Sequence, residues 1–248
     1  MQEYGLSFIK DQDLYLHIKE TVEKYRFSIN LKEFNKNLID PIKLTFDSKI
    51  YDKTIEQMVE SESIRQIDKS NTNHIGYFHQ NIFNYIGSGW EVPIEGYDII
   101  NQELNVFVEM KNKHNTMNSS SSQKTYMKMQ NEILINDKAT CYLVEVIAGK
   151  SQDNPWTISL DGKQISNKNI RRISIDQFYN MVTGSDVAFR DLCSVLPQVI
   201  SDVLKDLNTT KLSNSVFGEL KELSPDLLKS IYLLSFEKYE GFSRFELQ

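Results

Sequence analysis

The sequence predicts an α/β (α+β) fold in which helical segments at both ends flank a central mixed β-sheet. Three observations predict it. Apolar residues recur at helical spacing up to Ile86 and again from Leu192, and between Trp90 and Ile175 the period falls to two. Within that middle stretch, Thr140 to Ala148 is a near-continuous apolar run, the pattern of a strand buried on both faces.

Taken in order, Leu14, Ile18, Val22 and Tyr25 predict an amphipathic helix over residues 12–26. Asp40-Pro41 punctuates the chain, and Ile42 to Phe46 reads as a short strand. Ile55, Met58 and Val59 among charged residues read as helical. Ile75, Phe78, Ile82 and Ile86 mark a further helix face, stopped by Gly87-Ser88-Gly89. Trp90 to Ile94, Tyr97 to Ile100 and Val106 to Met110 predict strands. A helix is expected over Gln123 to Ile135, then the Thr140 to Ala148 strand. Trp156 to Leu160 and Ile170 to Ile175 predict two more strands, with a turn at Asp161-Gly162 between them. Two apolar stripes close the chain, Leu192, Val195, Leu196, Val199 and Val203, then Leu227, Leu228, Ile231 and Leu234. Such an order predicts three layers. No internal repeat or Pro/Gly-rich linker divides it, and the run Ser119 to Ser122 is too short to act as one. Residues 1–248 are therefore expected to form a single domain: 1–88 mainly helical, 89–175 the sheet core, 176–248 the C-terminal helices.

The chain has 248 residues, long enough for a sizeable core without disulfides. It shows no apolar stretch near the roughly 20 residues a bilayer requires, and Met1-Gln2-Glu3-Tyr4 does not resemble a secretion signal. A cytoplasmic protein is expected, with Cys141 and Cys193 as two buried thiols. The four histidines and two cysteines lack zinc spacing. A net charge of −6 argues against coating nucleic acid by bulk positive charge. Locally the balance reverses: Lys111, Lys113, Lys124 and Lys128 occur with no Asp or Glu between residues 111 and 128.

Chemistry concentrates in the segment from Glu95 to Lys111. On a strand from Val106, Val108 and Met110 share one face while Phe107, Glu109 and Lys111 share the other. A hairpin centred near Glu103-Leu104 sets Asp98 across from Glu109, although a longer loop over Gln102 to Asn105 could shift that register. Two adjacent carboxylates repel, and a divalent cation relieves the repulsion; few hard oxygen ligands with retained waters suit Mg²⁺. Such a cation polarises a phosphate oxygen, and Lys111 is placed to orient or deprotonate the attacking water. An exposed cross-strand salt bridge also accounts for the trio. The donor-rich segment that follows, Asn112-Lys113-His114-Asn115-Thr116-Met117-Asn118 and then serines, carries residue types that hold phosphates and read base edges.

Asp98 with Glu109-Met110-Lys111 matches the PD-(D/E)XK motif, and the longer run Val108 to Ser120 resembles the type II restriction endonucleases that cleave GGNCC-type sites. Softer matches are Asn37-Leu38-Ile39-Asp40-Pro41, Arg65-Gln66-Ile67-Asp68-Lys69-Ser70, Ile75-Gly76-Tyr77-Phe78-His79-Gln80 and Val187-Ala188-Phe189-Arg190-Asp191-Leu192-Cys193. The resemblance implies a restriction-endonuclease-like core, metal ligation by Asp98 and Glu109, Lys111 as the catalytic lysine, and Mg²⁺-dependent cutting of double-stranded DNA that leaves 5′-phosphates. It also implies a homodimer, because a palindrome presents two equivalent scissile phosphates. Tyr97 stands where the motif has proline. Gln80 stands where many such enzymes carry an acid on the preceding helix, and is expected to position a water or a ligand. His79, on the apolar face of that helix, is expected to be a satisfied core histidine. Asn112, Lys113, His114, Asn115, Thr116, Asn118, Ser119, Ser120, Lys124, Arg65 and Lys69 are the DNA-binding candidates, with Arg171 and Arg172 as further basic residues. The competing functions are a structure-selective, junction-type nuclease on the same core and a non-catalytic DNA-binding protein.

Overall fold

The computed structural model describes residues 3–114, 116–160, 162–207 and 213–236. In chain order its elements are α1 (Asp11–Lys24), β1 (Ser28–Ile29), α2 (Leu31–Asn35), α3 (Pro41–Ile50) and α4 (Ile55–Asn81). A 3₁₀ turn (Ile82–Asn84) leads to β2 (Trp90–Glu91), β3 (Ile99–Asn101), β4 (Val106–Lys113), α5 (Ser119–Ile135) and β5 (Thr140–Ile147). Then follow β6 (Asp153–Leu160), β7 (Lys163–Ser174), α6 (Ile175–Thr183), α7 (Ala188–Asp206), β8 (Ser213–Asn214), α8 (Val216–Leu223) and α9 (Leu227–Phe236). The described residues form two compact units: 3–23 with 75–207, and 24–74 with 213–236.

The first unit is built on a six-stranded mixed sheet in the order β2-β3-β4-β5-β7-β6. β2, β3 and β4 run antiparallel, β4, β5 and β7 parallel, and β6 returns antiparallel to β7. Alternation along β4 sorts its residues between two cores. Val106, Val108 and Met110 pack with Leu14, Ile18, Phe78, Ile82, Phe178 and Leu192, from α1, the α4 end, the 3₁₀ turn, α6 and α7. Phe107 packs on the opposite face with Tyr126 and Met129 of α5 and with Tyr97, Cys141, Leu143 and Trp156. The second unit pairs β1 with β8 in parallel and gathers Phe34, Leu44, Val59, Val216 and Ile231 into its own core.

The structure corrects several sequence expectations. Ile42 to Phe46 is helical, not a strand: Asp40 caps α3 by accepting from the Ile42 and Lys43 N–H groups (3.0 and 3.1 Å), and Pro41 occupies the first helical turn. An Asp-Pro pair offers a side-chain acceptor and a preset φ, which is a helix start as much as a turn. The strand expected over Trp90 to Ile94 stops at Glu91, since Pro93 has no N–H for a ladder and Ile94 is fully exposed. The helix expected from Gln123 begins at Ser119, so Ser119 to Ser122 form the first turn of α5, with Asn118 as N-cap. Ile175 opens α6 instead of ending β7. Of the two cysteines expected to be buried, Cys141 is and Cys193 is exposed. In the expected Asp161-Gly162 turn, Gly162 has φ +78° and Asp161 lies outside the described residues.

Candidate active site

The β3–β4 hairpin builds the site. Its register pairs Ile99 with Val108, Ile100 with Phe107 and Asn101 with Val106. The connection is the longer loop, Gln102 to Asn105, closed by Asn105 donating to the Gln102 carbonyl (3.2 Å) and by Leu104 donating to the Asn101 side chain (3.0 Å). Asn105 takes φ +53°, a left-handed conformation that asparagine tolerates. The loop leaves the expected register intact. At Asp98, however, the ladder changes character. Its N–H donates to Val108, the register partner of Ile99 (2.9 Å), and its carboxylate accepts from the Met110 N–H (2.7 Å). Asp98 thus ends the pairing with its side chain in place of a backbone carbonyl, which clamps the carboxylate against the start of Glu109-Met110-Lys111.

The charged groups meet on the face beneath α5. Lys111 Nζ lies 3.6 Å from Glu109 Oε2, while Lys128, reaching down from α5, holds Glu109 Oε1. Lys128 also donates to the Gly96 carbonyl (2.6 Å) and stands 4.1 Å above the Tyr97 ring. Burial pushes the Asp98 carboxyl above its ordinary range, and the Glu109 charge adds to that; the Met110 N–H and the ammoniums of Lys111 and Lys128 oppose it. Among the described residues no group of three or more His, Cys, Asp and Glu converges as a metal cage. What is present is a pair of neighbouring carboxylates, one of them reluctant to ionise. Two neighbouring oxygen donors fit a divalent cation that binds through one or two carboxylates and keeps its remaining waters.

Past Lys111 the same face opens into a cavity of about 260 Å³, walled by Lys111, Lys113, Glu145, Trp156 and Arg172 and by the first turns of α5. Glu145 is the register partner of Lys111 on β5, with its side chain only 2% exposed. It binds the Arg172 guanidinium and lies 3.0 Å from His114 Nδ1. Arg171, one residue earlier, is tied to Asp153 instead (2.7 Å).

The remaining sequence candidates separate. Lys113, Thr116 and Ser119 line the cavity with Lys111. Asn112 projects to the other face, where its amide lies beside Gly76 of α4. Asn118 uses its side chain to accept from Ser121 N–H (2.8 Å), so it is a helix cap. Ser120 and Lys124 are exposed on α5, and Asn115 lies outside the described residues. Arg65 and Lys69 belong to the second unit, where Arg65 donates twice to Glu62 (2.6 Å each). Gln80 is half-buried on α4, one turn beyond Gly76. His79 is not the satisfied histidine expected: Nδ1 is buried with no hydrogen-bond partner among the described residues, and burial lowers its pKa to about 4. Sequence reasoning missed Lys128 and Glu145 as site residues. Lys128 was visible only as the end of the basic run, and Glu145 as one acid inside an apolar strand.

Residues 6–205 match the family described as Eco47II restriction endonuclease. The chain belongs to that family. It is 32% identical over 228 residues to the type II restriction enzyme Sau96I of Staphylococcus aureus, covering 87% of each chain. It is 31% identical over 216 residues to the type II restriction enzyme Eco47II of Escherichia coli, covering 81% of this chain and 89% of the relative. The match to the Eco47II family spans the whole sheet, and with it the hairpin that carries Asp98, Glu109 and Lys111. The protein is accordingly a site-specific restriction endonuclease, and among its described residues no helix is long and apolar enough to cross a membrane.

Proposed function

We propose that this restriction endonuclease is a cytoplasmic homodimer that cuts double-stranded DNA at a GGNCC-type palindrome and leaves 5′-phosphate ends, with Asp98, Glu109 and Lys111 as its catalytic residues. One observation carries the reading: Glu109 lies 3.6 Å from Lys111, and the Met110 N–H between those two residues holds the Asp98 carboxylate at 2.7 Å. A structural salt bridge has no need of a second carboxylate that burial makes hard to ionise. Asp98 and Glu109 would hold Mg²⁺, which when bound supplies Lewis acidity to a phosphate oxygen and lowers the pKa of a water. The Met110 N–H holds the Asp98 carboxylate in place, and Lys128 does the same for Glu109, so neither must be ordered when substrate arrives. Lys111 sits where its ammonium can orient the attacking water and offset the charge gathering on the phosphate oxygens.

Digestion of a plasmid of known sequence with Mg²⁺ tests this. Discrete fragments whose mapped ends fall at one palindrome, each with a 5′-phosphate, are expected. Cuts confined to branched DNA, or a gel shift with no cutting, would replace the reading with a junction nuclease or a binding protein. Ca²⁺ is expected to support binding without turnover, because it accepts the same oxygens but holds them in a looser geometry.

A further inference from the structure

Glu145 has no part in the chemistry above, yet it is a carboxylate almost wholly removed from water beside the catalytic lysine. Burying a charge is costly unless partners compensate it. Here the compensation is specific: Arg172 grips one oxygen, and His114 Nδ1 lies 3.2 and 3.0 Å from the two. Arg172 Nη2 is also 2.8 Å from His114 Nδ1, so that one ring nitrogen serves either the carboxylate, as a donor, or the guanidinium, as an acceptor. The Arg172 Nε is buried and has no hydrogen-bond partner among the described residues. That atom is sealed from solvent, but the side chain as a whole is 24% exposed and lines the cavity, where its charge is open to a ligand.

The cavity around it is selective for an anion. Lys111, Lys113 and Arg172 line it against the single carboxylate of Glu145, in a chain whose net charge is −6. Ser119 and Ser122 add hydroxyls from the N-terminal turns of α5, where the helix presents its positive end. Lys111 and Lys113 project from the same face of β4, two residues or about 6.7 Å apart, close to the step between successive phosphates of a DNA strand.

We propose that this cavity is a subsite for a second DNA phosphate, next to the one being cut, with Arg172 as its main donor and Glu145 as the positioning residue. The inference rests on the nuclease reading and extends it. Seating the neighbouring phosphate fixes the register of the strand, so that the scissile phosphate lies over Asp98, Glu109 and Lys111.

The test is binding, in Ca²⁺, to a short duplex carrying the mapped cleavage site. Phosphates flanking the scissile one are replaced singly by neutral methylphosphonates. One replacement beside the scissile phosphate is expected to weaken wild-type binding roughly tenfold and to have little further effect on Arg172→Ala, whose log–log salt slope should fall by about one. Removing Arg172 strands a buried charge, so Lys113→Ala, at an exposed position, is the second variant, with the same coupling at smaller size. Glu145→Gln should give a partial loss at the same phosphate. Additive effects in both variants overturn the proposal. So does a result in which Arg172→Ala is blind to the methylphosphonate but sensitive to 7-deazaguanine, since the cavity would then read a base. If the wild type neither binds nor cuts DNA, the nuclease reading fails; if it cuts and neither variant couples, only the subsite does.

Discussion

The two faces of β4 make different uses of the same eight residues. Toward α1, α6 and α7 it presents Val106, Val108 and Met110, each at most 8% exposed and surrounded by aliphatic and aromatic side chains. Toward α5 it presents Phe107, then Glu109 and Lys111, and beyond them the cavity with Glu145 and Arg172. The first face is held by close packing and has no charge to satisfy. The second keeps its carboxylates near the surface or braced by cations, and gives up apolar burial to do so. Stability and chemistry are separated by one step along a strand, so a substitution on either side should disturb one property and spare the other.

The largest effects should come from the polar face. Asp98→Ala and Lys111→Ala are each expected to lower cleavage by about 10³-fold, with melting temperatures near wild type. Cutting at the wild-type rate by either variant would remove that residue from the mechanism. On the opposite face, Met110→Ala should show the reverse, losing about 2–5 kcal/mol of stability while the folded enzyme still cuts. Denaturant titration beside a cleavage assay at low temperature would break the comparison if activity fell far more than the folded fraction.

His79 offers a pH test of the apolar side. Its folded pKa of about 4 lies below the ordinary 6.5, so the unfolded chain takes up a proton that the folded one refuses. The stability this represents is complete above about pH 6.5 and is lost as pH falls toward 4, on the order of 3 kcal/mol in all. His79→Leu should flatten that part of a stability–pH profile; an unchanged profile would show that the ring is protonated in the fold. The smallest effect is expected at Asn118→Ala, about 1 kcal/mol from the lost cap. A loss of DNA binding without loss of stability would instead return Asn118 to the recognition surface.

Much of this molecule was written in local sequence. The alternation over Val106 to Lys111 sorted the strand's faces, because side chains on a strand can only alternate. The hairpin kept its expected register because the connection Gln102 to Asn105 is centred where the turn was expected. Local pattern failed where one signal serves two structures: Asp40-Pro41 starts a helix as readily as it turns a chain, and a polar serine run is equally at home in a loop and in a first helical turn. Packing partners were beyond its reach. That Lys128 descends from α5 onto Glu109, that Glu145 is sealed between Arg172 and His114, and that Asn112 turns away toward Gly76 all depend on where α5, β7 and α4 cross β4. Those crossings are set by how apolar surfaces fit across elements far apart in the chain, and no spacing within one segment encodes them.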